Sequence, residues 1–260
     1  MISRNRIAMV TAEALGTAVL TFGILAIINS AIGISYFVAL GAGIILAILV
    51  LIIGSTSGAH VNPAVTLGMW TLRKVSTIKA IAFIGAQFLG AIGAWLLFEY
   101  LSGRPLQELA PEEFEWRVFI AELTGAFIFT FGIASALYQK YTGGKLAATM
   151  GGSLMLGILI AGIISNGFIN PAVALGAQSF DVAYVGGPII GAILGMNLYI
   201  ILFAPLDSLL SRQTLRSLSS ELRRNRSITI TRKSTKSNTR KTTTKKPSTS
   251  RRKSTTRKKK

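Results

Sequence analysis

Six apolar stretches, each about twenty residues long, limit the folds open to this chain. They cover roughly residues 7–29, 34–54, 78–100, 117–138, 146–164 and 184–205. A helix of about twenty residues crosses the hydrocarbon core of a bilayer, so the pattern predicts an all-α membrane protein with six transmembrane helices. The first stretch is too long for a cleaved signal peptide and opens a series of similar stretches, so we expect it to be retained.

Charged residues are distributed unevenly along the sequence. Residues 1–210 carry nine Lys or Arg and nine Asp or Glu, whereas residues 211–260 carry nineteen Lys or Arg and one Glu. We therefore predict a neutral membrane domain over 1–210 and a basic, mostly disordered tail over 211–260, because such a tail cannot bury a core. Binding to anionic lipid and a purely solubilising role both fit this composition. Any contact of the tail with nucleic acid would be unspecific.

The basic residues outside the tail indicate the orientation in the membrane. They cluster before the first stretch and in alternate connections: Arg4, Arg6, Arg73, Lys74, Lys79, Lys140 and Lys145. The connection 101–116 between the third and fourth stretches is acidic. Because basic residues concentrate on the cytoplasmic side, we predict a multi-pass protein of the cell membrane with both termini in the cytoplasm.

The first three apolar stretches resemble the last three. "AEALGTAVLTFGI" at 12–24 is similar to "AELTGAFIFTFGI" at 121–133, and Asn-Pro-Ala-Val occurs twice. We predict two repeats over about 7–100 and 116–206. Each has an odd number of crossings, so the second repeat enters the membrane from the opposite face. An inverted repeat of this kind places a substrate path at the repeat interface, near the middle of the bilayer.

Each Asn-Pro-Ala motif predicts the start of a short helix. Asparagine is a good helix N-cap, and proline is favoured at the first helical position. The helices that follow Asn62 and Asn170 are too short to span, and each follows a polar, glycine-containing stretch. We predict two re-entrant half-helices whose N-termini meet from opposite faces. Their positive dipole ends and the two asparagine amides would favour a neutral molecule with a lone pair and repel cations.

With these motifs the sequence resembles the aquaporin, or major intrinsic protein, family over about residues 7–206. The resemblance rests on "AEALGT", "SGAHVNPAVTLG", "AELTGAFIFTFG", "INPAVALG" and "GPIIGAILG". It implies an aquaporin-like bundle of six tilted helices and two half-helices, assembled as a homotetramer with one pore per subunit. It also implies a passive channel for water or small neutral solutes, with no catalytic residue and no cofactor.

The resemblance assigns three groups of residues to the pore. The pore centre would comprise Asn62, Pro63, Ala64, Asn170, Pro171 and Ala172. A ladder of backbone carbonyls that passes water along would come from Gly58, Ala59, His60, Asn166, Gly167 and Phe168. Two glutamates inside apolar stretches, Glu13 and Glu122, would brace the two re-entrant loops.

The outer selectivity filter departs from the family's pattern. Its four positions fall on Ala42, Ile158, Gly167 and Val173. The usual arginine is therefore Val173, and the usual aromatic residue is Ala42. Loss of the fixed charge and of bulk predicts a wider, apolar mouth with one barrier to cations removed.

Several functions stay open at this point. Ala174 stands where glycerol-conducting members usually have Asp, which favours water, but glycerol, ammonia, gases and a non-conducting structural role all remain possible. An enzyme is disfavoured because the chain has no cysteine and only one histidine, His60, which also argues against a metal site. A secondary transporter would need an unpaired intramembrane acid, and none remains once Glu13 and Glu122 are assigned.

Small and polar residues within the apolar stretches predict helix contacts. We expect four glycines to permit close packing between the two halves of the chain: Gly90, Gly93, Gly191 and Gly195. Gln87 and Asn197 are expected to form hydrogen bonds between helices rather than to line a pore.

Overall fold

The structure, a computed structural model, describes residues 3–30, 34–108 and 113–204. Within these ranges the chain forms eight α-helices: α1 (Arg4–Ile28), α2 (Ser35–Ile53), α3 (Pro63–Thr71), α4 (Thr77–Ser102), α5 (Trp116–Tyr138), α6 (Gly143–Ala161), α7 (Pro171–Gly176) and α8 (Val182–Phe203). Six are long and apolar enough to cross a membrane, whereas α3 and α7 have nine and six residues. The predicted fold class of six spans and two half-helices is confirmed.

The ends of the spans differ from the sequence estimates by a few residues. The largest shift is in α6, which covers Gly143–Ala161 instead of 146–164. Its first turn contains Gly143, Gly144 and Lys145, which are helical without being apolar, so hydropathy alone misses them. At its other end the helix stops at Gly162, and the apolar residues that follow belong to the second re-entrant loop.

Each half-helix packs against a long helix of the opposite half. In the first half α1 contacts α2 and α4, and in the second half α5 contacts α6 and α8. The halves are joined by contacts of α2 with α6, α3 with α8 and α4 with α7. This equivalence of α1–α4 with α5–α8 is the arrangement of an inverted repeat, and it brings the starts of α3 and α7 into contact.

Glycines of α4 and α8 allow close packing within each half, so the prediction that they pack between the halves is wrong. A Cβ atom at Gly90 in α4 would collide with the carbonyl oxygen of Ala14 in α1. One at Gly191 in α8 would collide with the carbonyl oxygen of Leu123 in α5. The first and last spans of each repeat are neighbours, which is why these contacts stay inside one repeat. Gly93 has no atom within 4 Å of its built Cβ and contributes to no such contact.

Replacing Gly90 or Gly191 with Ala is expected to lower stability by about 1–3 kcal/mol, because a methyl group would be forced into a neighbouring backbone. Thermal unfolding of the detergent-solubilised protein measures the loss. Gly93→Ala is the matched control on α4, since its Cβ would enter open space. An equal loss of stability in the control would show that the Gly90 contact is not the cause.

The basic tail over 211–260 lies outside the described residues, and so does the boundary at 210. Both remain predictions from composition.

Candidate functional site

The two half-helices begin as the motifs predict, with an asparagine N-cap and a proline at the first position. The Oδ1 atom of Asn62 accepts a hydrogen bond from the Ala64 N–H at 2.8 Å. The Oδ1 atom of Asn170 accepts from the Ala172 N–H at 3.0 Å and from the Val173 N–H at 3.4 Å. Each cap satisfies backbone donors that the first turn of a helix leaves without a partner.

The same two asparagines connect the two loops to each other. The Nδ2 atom of Asn62 donates to the carbonyl oxygen of Ile169 at 3.0 Å, and Nδ2 of Asn170 donates to that of Val61 at 3.0 Å. A primary amide has two N–H donors, and each of these bonds uses one of them. The structure therefore brings Asn62 and Asn170 to one buried point, where the N-termini of α3 and α7 face each other.

The residue before each asparagine has an unusual backbone conformation. Val61 has a φ of 43° and Ile169 a φ of 42°. β-branched residues rarely adopt this left-handed region, and it costs of order 1–3 kcal/mol per residue. Such strain persists only where surrounding contacts hold it, and here it directs each carbonyl to the asparagine of the opposite loop.

Glu13 of α1 holds the first loop in this conformation. Its Oε1 atom accepts from the His60 N–H at 3.0 Å, and Oε2 accepts from the Val61 N–H at 2.7 Å. Gln87 of α4 donates to the same Oε2 at 2.7 Å. The carboxyl group is fully buried, and a buried acid in a membrane needs partners of this kind.

Glu122 of α5 makes the equivalent bonds to the second loop. Its Oε1 atom accepts from the Phe168 N–H at 3.0 Å and from the Ser165 hydroxyl at 2.8 Å. Its Oε2 atom accepts from the Ile169 N–H at 2.6 Å. The two glutamates thus occupy equivalent places in the two repeats, each bound to the strained residue before an asparagine.

Two serines that the Asn-Pro-Ala motifs do not predict also shape the loops. The Oγ atom of Ser57 accepts from the Ala59 N–H at 3.1 Å, and Oγ of Ser165 accepts from the Gly167 N–H at 3.0 Å. Both serines lie five residues before the asparagine of their motif, so the repeat itself contained the signal. Each turns its loop ahead of the strained residue.

His60 belongs to a polar network that braces the first loop. Its Nδ1 atom lies 3.1 Å from the Thr66 hydroxyl oxygen. That oxygen also accepts from Gln87 Nε2 at 2.9 Å and donates to the Asn62 carbonyl at 3.0 Å. Gln87 therefore forms the expected interhelical bonds, and Asn197 does so too, through a bond from Nδ2 to the Thr71 hydroxyl at 2.8 Å. Among the described residues, no group of three or more His, Cys, Asp or Glu could hold a metal ion.

The six residues predicted to form the carbonyl ladder lie in the two re-entrant loops, ahead of α3 and α7. Within the described part of the chain, no hydrogen bond ends on the carbonyl oxygens of five of them: Gly58, Ala59, His60, Gly167 and Phe168. Positive φ angles at Gly58, Ala59 and Gly167 turn the backbone out of regular secondary structure. Asn166 is held by Tyr184, whose hydroxyl accepts from the Asn166 N–H at 3.2 Å and from Nδ2 at 2.8 Å.

The filter candidates lie in the buried hydrophobic core of the described residues. Ala42, Ile158 and Val173 all belong to it, together with Phe168. A Cβ atom at Gly167 would lie 2.9 Å from the Ile158 carbonyl oxygen, so these two positions are adjacent.

The filter candidates that carry a side chain, and Phe168 beside them, are all buried. Val173 and Ala42 are 0% exposed, and Ile158 and Phe168 are 2% exposed. The Phe168 ring packs on the Tyr184 ring, with 5.3 Å between the ring centroids. The residues at the proposed filter are therefore apolar and buried, and the wider mouth expected from their small size stays a prediction.

Comparison with known families agrees with this geometry. The family described as Major intrinsic protein has a model that matches residues 2–199. The chain belongs to this family. As a major intrinsic protein, it is a multi-pass integral membrane protein with the aquaporin-like fold.

Two curated aquaporins illustrate the similarity of this major intrinsic protein to its relatives. It is 33% identical over 215 aligned residues to the probable aquaporin NIP7-1 of Arabidopsis thaliana. The alignment covers 76% of this chain and 78% of that protein. It is 28% identical over 190 aligned residues to aquaporin AqpM of Methanothermobacter marburgensis. That alignment covers 64% of this chain and 77% of that protein.

A solved structure shows the same fold. The X-ray structure of the aquaglyceroporin from Plasmodium falciparum matches with a TM-score of 0.65 and 23% identity, over 79% of this chain and 100% of that one.

Proposed function

We propose that this protein is a passive channel for water and small neutral solutes, with its central barrier to cations where α3 and α7 meet. The observation that supports this most strongly is the crossed pair of bonds from Asn62 to Ile169 and from Asn170 to Val61. It holds two helix N-termini, each with partial positive charge, at one point between the halves. Amide donors at that point orient a molecule with a lone pair, and the converging dipoles repel cations.

The remaining loop residues provide the path to and from this centre. The carbonyl oxygens of the two ladders accept hydrogen bonds from passing solute: Gly58, Ala59 and His60 on one side, and Asn166, Gly167 and Phe168 on the other. Glu13 and Glu122 fix the loops and take no part in proton transfer, since both carboxyl groups are engaged by backbone N–H groups. The proposal includes no catalytic step and no cofactor.

Water is the proposed principal solute. Ala174 stands where glycerol-conducting members of the family usually have Asp, and this favours water. A channel mainly for glycerol, ammonia or gases is the alternative, and a gradient of each solute across proteoliposomes distinguishes them.

We also propose a homotetramer in the cell membrane with both termini in the cytoplasm. The tetramer is typical of the family. The orientation rests on the basic connections that follow α3 and α5, which contrast with the acidic residues Glu113 and Glu115 before α5. The tail over 211–260 would then face the anionic inner leaflet, to which its Lys and Arg residues bind.

Replacing Asn62 or Asn170 with Asp tests the cation barrier. Aspartate keeps the oxygen that caps the helix, but it loses the amide donor to the opposite loop and adds a negative charge at the centre. We expect cation conductance of proteoliposomes to rise at least about tenfold, since one charge in a poorly hydrated pore changes the barrier by more than 1.4 kcal/mol.

The matched control is Gln139→Glu, which makes the same change of charge at an exposed position after α5. Its conductance should equal that of the wild type. If the folded Asn62→Asp and Asn170→Asp proteins have unchanged cation conductance, the main barrier to cations does not lie at this point.

A further inference from the structure

A polar pocket of about 290 Å³ lies at the ends of α1, α4 and α7 on the side opposite the basic connections. Its lining includes Leu25 and Asn29 from α1, the segment 104–107 after α4, and Ala177 at the end of α7. Arg104 is the only charged residue among the described residues that line it. The pocket therefore combines an open polar space with one fixed positive charge.

The pocket lies one helical turn from Val173, the proposed filter position. The Ala177 N–H donates to the Val173 carbonyl at 2.8 Å, so these residues are one helical turn apart. Residues four apart share one face of a helix, separated by about 6 Å along its axis. In the proposed channel, Val173 faces the conduction path. Ala177 lies on the same face of α7, so Ala177 and the pocket beside it face the outer mouth.

Contacts at the end of α4 fix the position of Arg104. Gly103, with a φ of 68°, ends the helix and donates its N–H to the Glu99 carbonyl at 2.9 Å. The Leu106 N–H donates to the Glu99 side chain, also at 2.9 Å, which closes the turn. The guanidinium Nη2 atom donates to the Asn29 carbonyl at 3.4 Å, at the C-terminal end of α1. That end of a helix carries partial negative charge and favours a cation beside it.

We propose that Arg104 is a specificity-determining residue, whose guanidinium supplies at the outer mouth the positive charge that Val173 does not supply at the filter. It repels cations before they reach the apolar constriction. Arginine keeps its charge at every physiological pH. The side chain is exposed, so salt screens its effect, whereas the barrier between α3 and α7 is buried and much less sensitive to salt. This proposal rests on the proposed function as a channel.

A charge series at Arg104 tests the proposal in proteoliposomes of the full-length protein. Cation conductance should stay near the wild-type value for Arg104→Lys, rise about three- to tenfold for Arg104→Gln, and rise further for Arg104→Glu. The increase should shrink at 1 M salt, where the screening length falls to about 3 Å. Water permeability should remain within about twofold of the wild type, because one exposed charge weakly affects a neutral solute.

Arg117→Gln is the matched control, because Arg117 is an exposed arginine at the start of α5, outside the pocket lining. Its cation conductance should not change. Unchanged cation conductance in Arg104→Gln and Arg104→Glu would overturn the proposal. Equal increases in cation conductance for Arg104→Lys and Arg104→Gln would also overturn it, because they would indicate a structural role for Arg104. Absence of water permeability in the wild type would instead remove the channel function, and this proposal with it.

Discussion

Replacing Glu122 with Ala is expected to destroy the second re-entrant loop and, with it, solute permeability. The substitution leaves the N–H groups of Phe168 and Ile169 buried without an acceptor, and it removes the partner of the Ser165 hydroxyl. Each buried donor without a partner costs about 1–3 kcal/mol, so we expect a loss of about 4 kcal/mol or more in the free energy of unfolding. Thermal unfolding in detergent and water flux in proteoliposomes measure the two effects.

Two variants separate this explanation from a general effect of losing an acid. Glu122→Gln keeps one oxygen but places an NH₂ group opposite a backbone N–H, so its loss should be intermediate. Glu115→Ala removes an exposed carboxylate just before α5 and should leave both stability and flux unchanged. Wild-type stability in Glu122→Ala would mean that this carboxyl group does not hold the loop. Because Glu13 makes equivalent bonds, Glu13→Ala should behave in the same way.

The second large effect is expected from the double variant that combines Val173→Arg with Ala42→Phe. Val173 lies one turn below the polar outer pocket, so the long arginine side chain can extend its guanidinium into that pocket. The new phenylalanine adds bulk at the second filter position. We expect the ratio of glycerol to water permeability to fall about tenfold or more and any cation conductance to fall with it, because a fixed charge in a constriction raises the barrier to cations.

The ratio of permeabilities is the decisive quantity, since the level of inserted protein affects both solutes equally. An unchanged ratio in the folded double variant would show that Val173 and Ala42 do not face the conduction path. Combining Val173→Arg with Arg104→Gln adds a separate check. If the two positions supply the same barrier, the new arginine should return the cation conductance of Arg104→Gln to the wild-type value.

Local chemistry explains why much of the fold could be predicted from the sequence. Apolar length determines the six spans, and the Asn-Pro pairs mark the starts of α3 and α7, because capping is decided within a few residues. The strained conformation of Val61 and Ile169 could not be predicted, since β-branched side chains locally disfavour it. It results from bonds to Glu13, Glu122 and the opposite asparagines, which are distant in sequence.

Tertiary packing determines the features that local sequence patterns do not predict or predict wrongly. Glycine spacing predicts close contacts but not their partners, and Gly90 and Gly191 pack within each half of the chain instead of between the halves. Ala42 and Val173 are buried, and the wide mouth expected from their small size stays a prediction. The position of Arg104 depends on a turn held by Glu99, and no pattern in the acidic connection marks it.

Stopped-flow light scattering of proteoliposomes tests directly whether this protein conducts water. Vesicles containing the wild-type protein and empty vesicles of the same size are compared under osmotic gradients of an impermeant solute, glycerol and ammonium. The expected result is water permeability several-fold above that of empty vesicles, lower permeability to glycerol, and a cation conductance close to the background of empty vesicles. Folded, inserted protein that leaves all these permeabilities equal to those of empty vesicles would contradict it and indicate a non-conducting membrane protein.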